Sequence, residues 1–161
     1  MYKLIETFYE AFRKLDAETM INCYHDDIIF QDPAFGVLRG ERANNMWRML
    51  CRSQQGKNFI VEVSKIDFNN QKGTAHWEAH YIFSRTGRKV HNIVNAEFEF
   101  KDGKIIKHTD YFNLHKWSIQ ALGFKGLLLG GTSFFKKRLN AQTNELLSKF
   151  ETGNRSFPKK G

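Results

Sequence analysis

Three side chains invite a chemical reading first: Asp32, His108 and Asp110. Aspartate and histidine are among the groups that move protons in enzyme sites, and strand residues two apart share a face. In the run Lys104 to Asn113, Lys107 marks its own alternate set as outward, so His108 and Asp110 point inward. In the run Ile28 to Asp32, the residues Ile28, Phe30 and Asp32 share one face, and Pro33 stops the strand. Three ionisable groups are thus aimed at an otherwise aromatic interior. An unpartnered polar group there costs roughly 2–7 kcal/mol. Each of the three must pair, meet water in a cavity, or transfer protons. Two roles fit Asp32: a general base in a pocket, or the acceptor of an Asx turn. Two also fit His108 with Asp110: a pair acting on one substrate proton, or a buried hydrogen-bonded pair.

The elements that must position these groups follow from periodicity. Leu4, Ile5, Phe8, Phe12 and Leu15 have helical spacing, and Asp16 is a candidate N-cap for a second short helix. After the strand ending at Asp32, residues 34–40 read as a loop, and Glu41 to Arg52 as a helix with Met46, Trp47 and Leu50 inward. The period then changes to two. Phe59–Phe68, Thr74–Ser84, Lys89–Lys101 and Lys104–Asn113 form an antiparallel meander, turning at Asn69–Gly73, Arg85–Arg88 and Asp102-Gly103. Helices gathered ahead of such a sheet define an α+β fold. Leu114–Leu122 reads as a short helix and Gly123–Gly131 as a glycine-broken apolar stretch. Thr132 or Ser133 caps a last helix with Phe135, Leu139, Leu146 and Phe150 on one face, frayed beyond Glu151.

Strand parity also supplies a wall. The inward sets are Trp77, Ala79, Tyr81 and Phe83 on one strand, and Val90, Asn92, Val94, Ala96, Phe98 and Phe100 on the next. Candidate ligand contacts are Phe8, Phe12, Phe30, Trp47, Trp77, Tyr81, Asn92, Ala96 and Phe112, which suit a small apolar molecule. Outward-facing His76, Glu78 and His80 could hold a metal, but the expectation is a polar surface without one. No phosphate loop, nucleophile elbow or Cys/His cluster occurs, so no cofactor is expected, and nucleotide and triad chemistry are disfavoured.

The 161 residues are 41% hydrophobic and 26% charged, as in one globular domain, with 15 phenylalanines. Cys23 and Cys51 read as reduced core residues, and the N-terminus has no signal-peptide pattern, so a cytoplasmic protein is expected. The net charge of +8 is unevenly held: residues 1–113 carry 16 Lys+Arg against 15 Asp+Glu, residues 114–161 carry 9 against 2. That is a near-neutral pocket domain, 1–113, with a basic helical extension, 114–161, rather than a nucleic-acid-binding surface. Lys136-Lys137-Arg138 beside Phe134 and Phe135 read as the solvated face of a packed helix. Contact with a membrane surface or an anionic ligand is the alternative.

The segment Tyr24-His25-Asp26-Asp27-Ile28-Ile29-Phe30-Gln31-Asp32-Pro33, followed by Gly36, Gly40 and Glu41, resembles the opening of the nuclear transport factor 2-like superfamily, in its ketosteroid isomerase and SnoaL-like cyclase branches. The turn Phe100-Lys101-Asp102-Gly103-Lys104-Ile105 and the strand ending His108-Thr109-Asp110-Tyr111 fit the same pattern, and the resemblance covers about residues 1–113. It implies a cone-shaped α+β barrel with a deep pocket, and a homodimer through the outer sheet face. It puts the isomerase base on Asp32 and the SnoaL-like acid/base aspartate on Asp110. The isomerase oxyanion donors fall on Phe8 and on or next to Ala96, so both are missing. Losing one such donor costs roughly 2.7–4 kcal/mol, which excludes a true ketosteroid isomerase. The Arg and Asp two apart on an inner strand, as in limonene epoxide hydrolase, are not found. The expected activity is cofactor-free isomerisation, cyclisation, dehydration or hydration, with Asp32 as base and His108/Asp110 as acid or relay. A non-catalytic ligand-binding domain and a basic-tail tether to membrane or partner are the alternatives.

Overall fold

Apolar side chains at helical spacing build α1 (Tyr2–Arg13), which buries Ile5, Phe8, Tyr9 and Phe12 along one stripe. In the computed structural model, which describes residues 1–69 and 72–155, this helix lies against a six-stranded sheet. Asn70 and Gln71 of the expected hairpin turn lie outside the described residues. The chain continues through α2 (Ala17–Asn22), β1 (Tyr24–Asp32), β2 (Gly36–Arg39), α3 (Glu41–Gln54), β3 (Ile60–Asn69), β4 (Lys72–Phe83), β5 (Arg88–Lys101) and β6 (Lys104–Phe112). Then follow α4 (Leu114–Leu122), α5 (Phe124–Leu129) and α6 (Ser133–Arg155). The expected cap of α2 is present: the Asp16 carboxylate accepts the Thr19 N–H at 3.1 Å.

The strand order is β2-β1-β6-β5-β4-β3. The meander β3–β6 is antiparallel, as its turns dictate. Asp102 and Gly103, both at positive φ, close a two-residue hairpin loop between Lys101 and Lys104. The sheet as a whole is mixed, however, because β1 pairs with β6 in parallel, setting Phe30 opposite His108. The loop expected at 34–40 holds a short strand instead. β2 folds back on β1 through a tight turn at 33–35, with Asp32 opposite Gly36. A register shift between Glu99 and Phe100 turns Ile105 inward, against simple alternation with Lys107.

The C-terminal segment departs most from expectation. α6 runs on to Arg155 rather than fraying at Glu151. It buries Leu139 and Leu147 in the core, while Leu146 is exposed. The glycine-broken stretch contains α5, and its glycines explain the packing. A Cβ at Gly126 would lie 1.9 Å from the Ser118 carbonyl oxygen, and one at Gly130 would lie 1.7 Å from Ser118 Oγ. The backbone of α5 therefore lies directly on α4, and Ser118 Oγ donates to the Gly126 carbonyl at 3.1 Å. The helix is buried on its glycine side and exposes its leucines.

Gly126→Ala should therefore destabilise the protein by about 1–3 kcal/mol, the usual cost of overpacking a tight contact. Chemical denaturation monitored by circular dichroism measures this. Wild-type stability in the variant would refute the close α4–α5 approach.

Candidate functional site

Pairing β1 with β6, β6 with β5 and β5 with β4 brings the inward faces of four strands together against α1 and α3. The result is a cavity of about 550 Å³ whose wall includes Phe12, Phe30, Trp47, Trp77, Tyr81 and Phe112. Asp32, Asn92 and Asp110 also line it, and so do Gln142 and Thr143 from α6. Phe8 and Ala96 lie fully buried behind this wall, and Ala96 stands opposite Asp110 across β5 and β6.

His108 is fully buried and does not itself reach the cavity. The rings of Phe8, Phe30, Trp47 and Phe98 surround it, with Phe98 at 4.4 Å between centroids. Its Nε2 is 3.0 Å from Asp110 Oδ1, and its Nδ1 is 2.7 Å from the Tyr24 hydroxyl. The Trp47 indole donates to that same hydroxyl at 2.9 Å. An indole N–H only donates, so the tyrosine oxygen accepts there and keeps its own proton available for His108 Nδ1. With Tyr24 donating, a neutral imidazole carries its proton on Nε2, toward Asp110. The Trp77 indole adds a second donor to Asp110 Oδ1 at 3.2 Å. The network satisfies every polar atom along this path except Asp110 Oδ2, for which no hydrogen bond occurs among the described residues. Tyr24 escaped the sequence reading, although it shares the parity of Ile28, Phe30 and Asp32.

Asp32 sits at the end of β1, partly accessible to the cavity. Its Oδ1 accepts the N–H groups of Ala34 at 2.9 Å and Phe35 at 2.6 Å, so it does form the Asx turn. It also occupies the pocket, and the two roles coexist because one oxygen serves the turn. Burial pushes its carboxyl up from 3.8 to about 7. The backbone N–H of Phe35 opposes that rise, and the nearby Asp110 adds to it. The turn is clamped from outside by α6. Asn140 Nδ2 donates to the carbonyls of Pro33 and Ala34, Thr143 to Ala34, and Asn144 Nδ2 to Phe35. Sequence reasoning missed these contacts because nothing local links residues 33–35 to residues 140–144.

Tyr81 supplies a further polar group. Its hydroxyl accepts the Trp117 indole N–H at 2.8 Å, which leaves its own proton free to donate. Burial pushes its pKa up to about 12, and the charge of Asp32 contributes to the rise. On the outer face of the sheet, Glu78 accepts from His91 at 2.5 Å and lies 3.3 Å from His76. Among the described residues, the cluster with metal-ligand spacing is Glu78, His80 and His91 rather than the alternating trio on β4, because His91 pairs directly with His80 across the strands. Its carboxylate is already engaged by imidazoles.

Residues 5–108 match the model of the SnoaL-like domain. The epoxide hydrolase EphG of Mycobacterium tuberculosis is 28% identical over 133 residues, 78% of either chain. A solved LEH-like epoxide hydrolase of M. tuberculosis shares 27% identity at a TM-score of 0.58, covering 80% of this chain and 89% of that one. A protein of ketosteroid isomerase-like fold from Catenulispora acidiphila, solved in complex with trimethylamine, has a TM-score of 0.60 at 12% identity. It covers 73% of this chain and 91% of its own. At that identity the likeness concerns the fold alone. Among the described residues, no helix is long and apolar enough to cross a membrane.

The raised pKa of Asp32 has a thermodynamic consequence with a definite sign. Between pH 3.8 and about 7 the folded chain keeps a proton that the unfolded chain has released. Stability is therefore lost as pH rises through that window. Asp32→Asn removes the loss, so its stability relative to wild type should increase across the window, by up to about 4 kcal/mol. Urea unfolding of both proteins from pH 4 to 8 measures the difference, and a constant offset would contradict it.

Proposed function

The chain belongs to the SnoaL-like domain family, and on that premise we propose that its cavity carries out cofactor-free proton transfer on a small apolar molecule. The observation that carries this reading is Asp32, a carboxyl raised to about 7 in an apolar cavity that it shares with Asp110 and Tyr81. A group that titrates near the working pH both accepts and donates protons efficiently. In this reading Asp32 is the general base, and after accepting a proton it returns it as the acid. Tyr81 stays protonated and donates to an oxygen that gains charge on the substrate. Asp110, oriented by His108 and Trp77, offers its Oδ2 to hold a water molecule or a substrate hydroxyl.

These groups suit two related reactions. Isomerisation or cyclisation needs a base for a C–H proton and a donor for the resulting oxyanion. Ring opening of an epoxide by water needs a base for the water and an acid for the ring oxygen. The relatives named as epoxide hydrolases make epoxides the first substrates to assay. The inward face of β5 presents Val90, Asn92, Val94, Ala96 and Phe98, so the Arg–Asp pair of limonene epoxide hydrolase has no counterpart there. The acid for an epoxide oxygen would have to come from Asp32 or Tyr81.

A second reading is a non-catalytic binding domain for the same class of molecule. It is favoured by the buried, apolar Phe8 and Ala96 at the positions where the resemblance calls for oxyanion donors. Native mass spectrometry of freshly purified protein separates the two. A retained apolar molecule, released unchanged and never turned over, supports binding alone.

For the catalytic reading, a panel of apolar epoxides and enolisable ketones should yield a substrate whose kcat rises with pH through an apparent pKa near 7. Asp32→Asn should lower kcat by roughly 10²–10⁴-fold and abolish that limb. Tyr81→Phe should lower kcat by about 10²-fold while leaving the limb in place. Undiminished turnover in Asp32→Asn would remove Asp32 from the chemistry.

A further inference from the structure

The α5–α6 surface pairs exposed hydrocarbon with cationic charge, and we propose that it docks the protein onto an anionic lipid bilayer. The exposed hydrocarbon comes from the inverted packing of α5. Because Gly126 and Gly130 face α4, the helix turns its large side chains outward: Phe124 is 73% exposed and Leu128 62%. Phe134, at the start of α6, is 65% exposed. Exposed apolar residues grouped in this way mark interaction sites, whereas isolated ones are ordinary.

The charge decides which partner the surface fits. Residues 111–144 contain five Lys or Arg and no Asp or Glu. Lys125, Lys136, Lys137 and Arg138 are all exposed among the apolar residues. Phe124, Leu129 and Phe134 share the wall of one groove of about 750 Å³ with Lys125 and Arg138. A bilayer containing acidic lipids meets both demands, since its acyl region accepts the rings and leucines while its headgroups accept the cations. A second copy of this chain meets only one, because apposing two such surfaces would bring like charges together. The solvated helix face expected from sequence does not account for the leucines of α5, whose outward direction only the glycine contact reveals.

The surface also adjoins the cavity. Phe83, Arg85, Trp117, Leu139 and Gln142 line both the groove and the pocket that holds Asp32. A docked molecule would present its cavity to the layer in which apolar molecules dissolve.

Co-sedimentation of the full chain tests this without any substrate, so its outcome is separate from that of the proposed reaction. Vesicles of phosphatidylcholine with about a quarter phosphatidylglycerol should sediment the protein, and pure phosphatidylcholine vesicles should bind it roughly tenfold less. Lys136→Glu with Lys137→Glu, and separately Leu128→Ser with Phe134→Ser, should each weaken binding by roughly tenfold or more. Because these residues are exposed, the circular dichroism spectrum should not change. A variant whose spectrum does change is replaced by wild type at raised salt, which should release the protein. Failure to sediment, equal binding to both vesicles, or binding unaffected by either pair of changes would overturn the proposal. So would self-association at this surface, seen by sedimentation velocity and abolished by Leu128→Ser with Phe134→Ser.

Discussion

A carboxyl group among aromatic rings must find partners or keep its proton, because an uncompensated charge there costs several kcal/mol. The chain holds two aspartates in that setting and resolves them differently. Asp110 is reached by a directed series of donors, from Trp47 to Tyr24 to His108, with Trp77 joining from β4. Each member is fixed by elements that must pack together before the series exists: α3 for Trp47, β1 for Tyr24, β6 for His108. The parallel β1–β6 pairing is thus more than a detail of topology, since it sets Phe30 and Tyr24 beside the strand that carries His108 and Asp110. Asp32 is met by the backbone N–H groups of its own turn, those of Ala34 and Phe35 on one oxygen, and burial outweighs them. Asp110 is held in orientation by its donors, while burial raises Asp32.

The C-terminal segment matters to this arrangement more than its position in the chain suggests. Asn140, Thr143 and Asn144 satisfy the carbonyls of Pro33, Ala34 and Phe35, the three residues that curve around Asp32. Arg42 on α3 pairs with Glu151 at 2.6 Å, anchoring the far end of α6. The same segment supplies Gln142 and Thr143 to the cavity and, through α5, an outward apolar surface. Its basic composition reads as a tail, but its side chains help build the site.

Much of this was legible from residue patterns. Period-two alternation, read with Lys107 as the outward marker, placed His108 and Asp110 inside, and Pro33 ended the strand at Asp32. The capping aspartate of α2 and the Asp102-Gly103 hairpin turn carry their geometry in residue type. What escaped depends on contacts distant in sequence or on single-residue irregularities. The shift near Phe100 turns Ile105 inward, which strict alternation cannot foresee. β2 spans only Gly36–Arg39, too short to show a period, and its existence depends on pairing with β1. α5 was hidden because glycine normally argues against a helix. Here glycine is what allows two backbones to approach. Leu147 rather than Leu146 is buried, because the face of α6 that turns inward depends on packing against α3, which is distant in sequence.

Everything proposed for the cavity rests on Asp32 exchanging a proton near neutral pH. Carbon-13 NMR titration of the aspartate side-chain carboxyls, with the Asp32 resonance assigned by its loss in Asp32→Asn, reads this directly. A midpoint near 7 is the expected result. A midpoint close to the ordinary 3.8 would mean that the turn N–H groups, not burial, govern the group, and that Asp32 only closes its turn.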